Sequence, residues 1–253
     1  MKKILIFISA LTLSLIVGCG NQEEATKNTN QAVNQEDTEQ KKEEVKTEVT
    51  NKVFYKWNNE SVGNVPQIVT YATIENTGNV PVNVADTQLT YIDKDGGVIG
   101  TTKANGFYAN IAPSSIGPGE TAYLAINEDI DEQFDNLKDV EINVAPMKME
   151  IGVNSLKSDK LNVIKKDEWG GMLSVTGFIL NDTEINNPVV EAGAGLFDKD
   201  NKFVGAVLLG SDNEIKVSAN NKTGVEFSVP SFPSSEIDKV DHAKVSAIYY
   251  DEN

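Results

Sequence analysis

Two stretches 105 residues apart constrain this chain most. Tyr91-Ile92-Asp93-Lys94-Asp95-Gly96-Gly97-Val98-Ile99-Gly100 and Leu196-Phe197-Asp198-Lys199-Asp200-Asn201-Lys202-Phe203-Val204-Gly205 each read as strand, polar turn, strand. At the same offset Asn76 falls on Asn181 and Val84 on Val189. A second alignment, at an offset near 102, lays Glu120-Thr121-Ala122-Tyr123-Leu124-Ala125-Ile126 on Lys222-Thr223-Gly224-Val225-Glu226-Phe227-Ser228. Self-similarity at a fixed period signals a duplicated unit. Between and around these segments, short runs rich in Val, Ile, Thr, Tyr and Phe alternate with Asn, Asp, Gly and Pro, which is the punctuation of strands and turns. Seven such runs lie from Val53 to Val144 and seven from Leu161 to Tyr250. The chain is predicted to be all-β, with two β-sandwich domains in tandem over residues 52–155 and 160–253. The junction, about Val153 to Lys160, is short enough to keep them in contact.

The N-terminus reads differently. Lys2 and Lys3 precede an apolar run from Ile4 to Val17, then small Gly18 and Cys19, the only cysteine. A bilayer-spanning helix needs about 20 apolar residues, so residues 1–18 are predicted to be a signal peptide. Ile16-Val17-Gly18-Cys19 resembles the lipobox of bacterial lipoproteins. That resemblance implies lipidation at Cys19, with a diacylglycerol (palmitate-type chains) on its sulfur, and cleavage before it. One acyl chain holds a protein only reversibly, whereas two anchor it. Residues 19–51, rich in Gln, Glu, Lys, Asn and Thr, are predicted to be the lipidated cysteine and a disordered linker, because so few apolar residues cannot offset the entropy of ordering. Such a tether reaches about 30 Å. With one cysteine no intrachain disulfide forms, so the domains must hold together by burial and strand pairing.

Charge narrows the partners. The chain has 22 basic and 38 acidic residues, a formal charge of −16, and every basic residue is a lysine. Without arginine there is no planar fork for phosphates, and without a basic stretch there is nothing to release counterions from a polyanion. Nucleic acid is excluded as a partner, and membrane contact is left to the diacylglycerol on Cys19.

The segment Val175-Thr176-Gly177-Phe178-Ile179-Leu180-Asn181-Asp182-Thr183 with Gly195-Leu196-Phe197-Asp198-Lys199-Asp200 resembles the FxLYD domain, an immunoglobulin-like sandwich of exported Gram-positive proteins. Ala194 and Phe197 depart from its signature. The first unit is similar to the immunoglobulin-like modules of lipoproteins from the same bacteria. The resemblance implies two immunoglobulin-like sandwiches on the outer face of the bacterial cytoplasmic membrane, and little chemistry.

No catalytic motif stands out. His242 is the only histidine, so a two-histidine metal site cannot form. There is no nucleophile elbow and no phosphate-cradling glycine loop. The expectation is therefore no enzyme and no cofactor. Asp93, Asp95, Asp198 and Asp200 begin like a hard-cation loop, but Asp and Asn are also what hairpin turns require. The acidic run Glu128 to Asp135 reads as a short cap over the sandwich with its acids in water. Gly193 and Gly195, alternating inside a strand, mark close backbone approach. Trp57, Tyr71, Tyr123, Phe178 and Phe227 are expected in the core, while Phe107, Tyr108 and Trp169, in glycine-rich surroundings, are the candidate ligand contacts. The predicted role is a non-catalytic binding or scaffolding module with a protein or cell-envelope partner. The alternatives are a protease-inhibitor-like protein presenting Gly106–Gly119 as a protruding loop, or a receptor for a cation or small ligand.

Overall fold

β-Branched and aromatic residues at alternate positions pack well on a pleated surface, and the expected runs become strands with few exceptions. A computed structural model describes residues 42–59, 63–104, 110–129, 135–166, 172–209, 215–229 and 232–251. The first half contains β1 (Thr47–Asn59), β2 (Val65–Asn76), β3 (Val82–Asn83), β4 (Thr87–Asp93), β5 (Val98–Ala104), β6 (Ile111–Ala112), β7 (Ser115–Ile116), β8 (Thr121–Asp129), β9 (Leu137–Val144) and β10 (Met147–Lys148). The second contains β11 (Val153–Ser155), β12 (Lys157–Lys166), β13 (Met172–Asn181), β14 (Val189–Phe197), β15 (Phe203–Leu208), β16 (Ile215–Lys216), β17 (Asn221–Val229), the single turn α1 (Ser234–Ile237) and β18 (His242–Tyr250).

The all-β sandwich expectation holds. Sheet β1-β2-β8-β6 and sheet β5-β4-β9 enclose a core that includes Ile68, Ile74, Leu89, Tyr91, Leu124 and Val140. Sheet β12-β13-β17 and sheet β11-β18-β14-β15 enclose Leu173, Val175, Ile179, Ala194, Leu196 and Phe227. Strand order repeats, with β1, β2, β8 matched by β12, β13, β17 and β5, β4, β9 by β15, β14, β18. Even the irregularities recur: the hairpin register shifts between Tyr91 and Ile92 and again between Leu196 and Phe197.

A buried asparagine closes one end of each sandwich. Asn76 donates to the carbonyls of Val80 (2.8 Å) and Ile116 (3.1 Å) and accepts from the Gly78 N–H (3.0 Å). Asn181 donates to Ile185 (2.8 Å) and Val217 (3.1 Å) and accepts from the Thr183 N–H (3.1 Å). This pairing corrects the second alignment. Ile116 matches Val217, which sets the late strands 101 residues apart, not 102. At 101, buried Leu124 and Ile126 fall on buried Val225 and Phe227; at 102 they would fall on Glu226 and Ser228. A slip of one residue exchanges the two faces of a strand.

Two boundaries also move. The linker was expected to run to residue 51, but β1 already begins at Thr47, ahead of the expected Val53. Glu44 and Asn79 bond to each other both ways, Glu44 N–H to Asn79 Oδ1 (2.8 Å) and Asn79 N–H to Glu44 O (3.0 Å). Gly78 permits this, because a Cβ there would collide with the Glu44 carbonyl oxygen. At the other boundary, the expected junction is itself strand. β11 pairs with β18, Leu156 donates to Ala247 O (2.8 Å), and β12 crosses to pair with β13. Residues from Val153 onward thus belong to the second sandwich.

Candidate functional site

The sequence-predicted site residues fall in three groups. Cys19, Phe107, Tyr108 and Trp169 lie outside the described residues. The four aspartates sit where turn chemistry puts them. Asp93 Oδ1 accepts from the backbone N–H of Asp95 (2.8 Å) and Gly97 (2.7 Å), and Asp198 Oδ1 from Asp200 (2.9 Å) and Lys202 (2.8 Å). Gly96 and Asn201 occupy the positive-φ positions, at 85° and 61°. Asp95 and Asp200 are exposed, and no group of three or more metal-ligating side chains gathers among the described residues. Asp198→Ala is expected to cost about 1 kcal/mol through the lost turn bonds. Calcium is expected to leave the Tm of wild type and variant unchanged; a calcium-dependent rise confined to wild type would support the cation reading.

The expected acidic cap does not begin at Glu128. That residue and Asp129 end β8, where Glu128 accepts a hydrogen bond from the Tyr91 hydroxyl and Asp129 from Gln67 Nε2 (2.8 Å). Residues 130–134 lie outside the described residues. His242 stacks on Phe197, with centroids 5.7 Å apart.

What the structure assembles instead is the face between the two sandwiches. Along β2, Ile68, Ala72 and Ile74 point into the first core, while Val69 and Tyr71 point the opposite way into the second cluster, as does Tyr123 on β8. The surface that receives them is a row of glycines. A Cβ on Gly193 would stand 2.5 Å from the Ala112 carbonyl oxygen; one on Gly195 would overlap the Tyr123 ring; one on Gly205 would press on Phe232 (3.0 Å) and Tyr71 (3.2 Å). Successive positions on β14 and β15 therefore meet β6, β8 and β2 in turn, so the strands of one sheet run across those of the other, as in crossed sheet packing. Tyr71 stacks on Phe232 (5.6 Å), and Tyr55 donates to Val204 O (2.9 Å).

A carboxylate fastens the far end of this row. Glu191 accepts from the Ser114 N–H (2.8 Å) and hydroxyl (2.7 Å) through one oxygen and from the Tyr250 hydroxyl (2.9 Å) through the other. Ser114 lies in the connection expected to protrude. From residue 110 onward that connection is packed instead, with Ile111, Ala112, Ser115 and Ile116 all buried. That part of it holds the sandwiches together, and residues 106–109 lie outside the described residues.

The near end opens into a cleft of about 350 Å³ floored by Tyr55, Phe203 and Val204 and rimmed by Lys52, Lys202, Lys239 and Glu236. Its charges are largely engaged: Lys239 bonds Glu236 (2.9 Å) and Lys52 bonds Asp139 (2.6 Å). Burial first, and then the Glu236 carboxylate, push the Tyr55 hydroxyl well above the ordinary phenol range, so it stays a neutral donor. The Lys52 hydrogen bond holds the Asp139 carboxyl below the usual carboxylate range. A carboxyl whose folded value is depressed stabilises above its unfolded value and loses that contribution as pH falls through the folded one. Asp139 is half exposed, so solvent screening keeps the term below about 1 kcal/mol. Acid titration of the Tm is expected to show a shallower fall in Asp139→Asn than in wild type.

No protein-family model and no curated protein matches the chain. Among solved structures, the infectious bursal disease virus VP2 subviral particle aligns at 11% identity and a TM-score of 0.22, over 82% of this chain and 66% of that one. A likeness that slight carries no argument about fold or role.

Sequence reading found Gly193 and Gly195 as points of close approach, but neither Gly205 nor the partners of the row. The stretch Ile68 to Ile74, without a charge and polar only at Thr70 and Thr73, was the available signal, since a strand buried on both faces does not alternate. Glu191, a lone charge between Val190 and Ala192, was the other.

Proposed function

We propose that this chain is a membrane-anchored extracellular lipoprotein whose immunoglobulin-like sandwiches serve as a non-catalytic binding or scaffolding module of the cell envelope. One observation carries the reading: the glycine row, the aromatic stack and the Glu191 contacts fix the two sandwiches to each other, so that loops on both are held at set distances. A body of that kind presents surfaces; its buried tyrosines and carboxylates are taken up in holding it together. The sequence Ile16-Val17-Gly18-Cys19 supports the anchor, and the absence of arginine supports a partner that is not a polyanion.

The anchor is tested by growing a Gram-positive host expressing the full chain on an alkyne-bearing fatty acid. Label is expected on wild type and lost in Cys19→Ala, with the variant released to the medium; label retained in the variant overturns the assignment. Photocrosslinking from Phe107 and Trp169 in living cells tests binding, and one reproducible partner is the expected outcome. Turnover of a substrate, abolished by a single carboxylate substitution, would replace this reading with an enzymatic one.

A further inference from the structure

The outer face of sheet β12-β13-β17 occupies the place that, in the first sandwich, is covered by β14 and β15. Here it carries a shallow groove of about 450 Å³ with Phe178 in its wall, Gly177 and Gly224 in its floor, and Thr176, Glu226 and Lys160 at its edges. Phe178 was expected in the core, but the strand register turns it outward opposite Gly224, and it is only partly buried.

The fold does not require this groove. In the first sandwich the position of Phe178 is held by Thr73, whose hydroxyl is bonded to Thr50 (2.7 Å) and Asn51 (2.9 Å) at the β1 bulge. The position of Gly224 is held by Tyr123. The second sandwich thus has an aromatic ring where the first has a satisfied hydroxyl, and a bare backbone where the first has a ring. At the matching bulge Lys160 adopts a left-handed backbone, φ 52°.

We propose that this groove binds a saccharide, one ring lying against Phe178; the inference rests on the binding-module reading and names its ligand class. The chemistry of the edges selects the occupant. Glu226 only accepts hydrogen bonds, Lys160 only donates, and the Thr176 hydroxyl does both, so the ligand must offer donors and acceptors around its perimeter. Neither Lys160 nor Glu226 is tied up in an ion pair among the described residues. The apolar C–H face of a sugar ring suits an aromatic wall, and its hydroxyls suit the rim. A cationic ligand is disfavoured, because the Lys222 ammonium already lies over the ring at 4.4 Å and Lys160 stands at the edge. Few precisely placed polar groups around an apolar wall is the usual make-up of a small-ligand site.

The test is a panel of N-acetylglucosamine, glucose and mannose tetrasaccharides titrated calorimetrically against the full chain in detergent. At least one is expected to bind, with Phe178→Ala weakening it tenfold or more. Gly224→Leu guards against a folding artefact, since an added Cβ meets only the edge of Phe178 at 4.0 Å; it is expected to keep the wild-type Tm and abolish binding. Isolated peptidoglycan sacculi added in competition distinguish a wall polymer from a free sugar as the source. The proposal falls if the folded wild type holds none of the probes, or if Gly224→Leu binds as wild type does. Capture of a protein partner from Phe107 or Trp169 in that case would leave the binding module standing without a saccharide.

Discussion

Gly195→Val splits the thermal unfolding of the protein into two transitions and lowers the first by several degrees. The branched side chain would have to occupy the space of the Tyr123 ring, which is buried against β14 and cannot swing aside without vacating the junction. Overpacking of a well-filled interface costs about 1–3 kcal/mol, and for a chain of this size each kcal/mol moves Tm by about 2–4 °C. The same insertion inside either core would lower one cooperative transition. Here it acts between two cores, so it is expected to separate them. Gly193→Ala tests the point with a single methyl, because its neighbour is the Ala112 carbonyl of the main chain and not a movable side chain. Differential scanning calorimetry reads both; a single, merely lower transition in each variant would show that the sandwiches unfold together for reasons other than this contact.

The second large effect is expected at the end asparagines. Asn76→Ala deletes a side chain with no solvent exposure and leaves the Val80 and Ile116 carbonyls and the Gly78 N–H short of a partner. Buried groups left unsatisfied cost about 1–3 kcal/mol each, and relaxation recovers part of that, so a loss of about 3 kcal/mol is expected. Asn181→Ala removes the corresponding set and is expected to cost the same within about 1 kcal/mol. Denaturant midpoints measure both. Asn→Asp at either position should be nearly as harmful, since a carboxylate cannot donate to the two carbonyls. Equal sensitivity at two positions so far apart in sequence would be the energetic counterpart of the repeated topology.

Much of the fold was legible because its signals are local. Leu196 to Gly205 was expected as strand, polar turn, strand, and Leu196 and Phe197 do close β14 while Phe203 opens β15; the Asp-Lys-Asp turns announced both hairpins. What escaped was set by contacts between distant segments. Thr47 to Asn51 is too polar to read as a strand, and it becomes one because β2 offers it a ladder from Thr47 opposite Asn76 onward. Tyr71 and Tyr123 were rightly expected to be buried, but against the neighbouring sandwich and not within their own. Phe178 was misplaced because an apolar residue inside a strand pattern does not declare which face it takes. The Glu191 contacts depend on Ser114 and Tyr250, and nothing in the sequence joins those three.

The way β1 enters the body has a mechanical meaning. The chain arrives at residue 42, is held by Asn79, and then runs antiparallel to β2 with pairs from Thr47–Asn76 through to Asn59–Val65. A pull on the preceding segment, resisted at the opposite end of the sandwich, is directed along the strand. Backbone bonds across the ladder then share the load side by side and must fail together. Peeling them one at a time would require a force across the strand instead. A protein held by its N-terminal side would thus resist drag more stubbornly than the same ladder loaded across its strands.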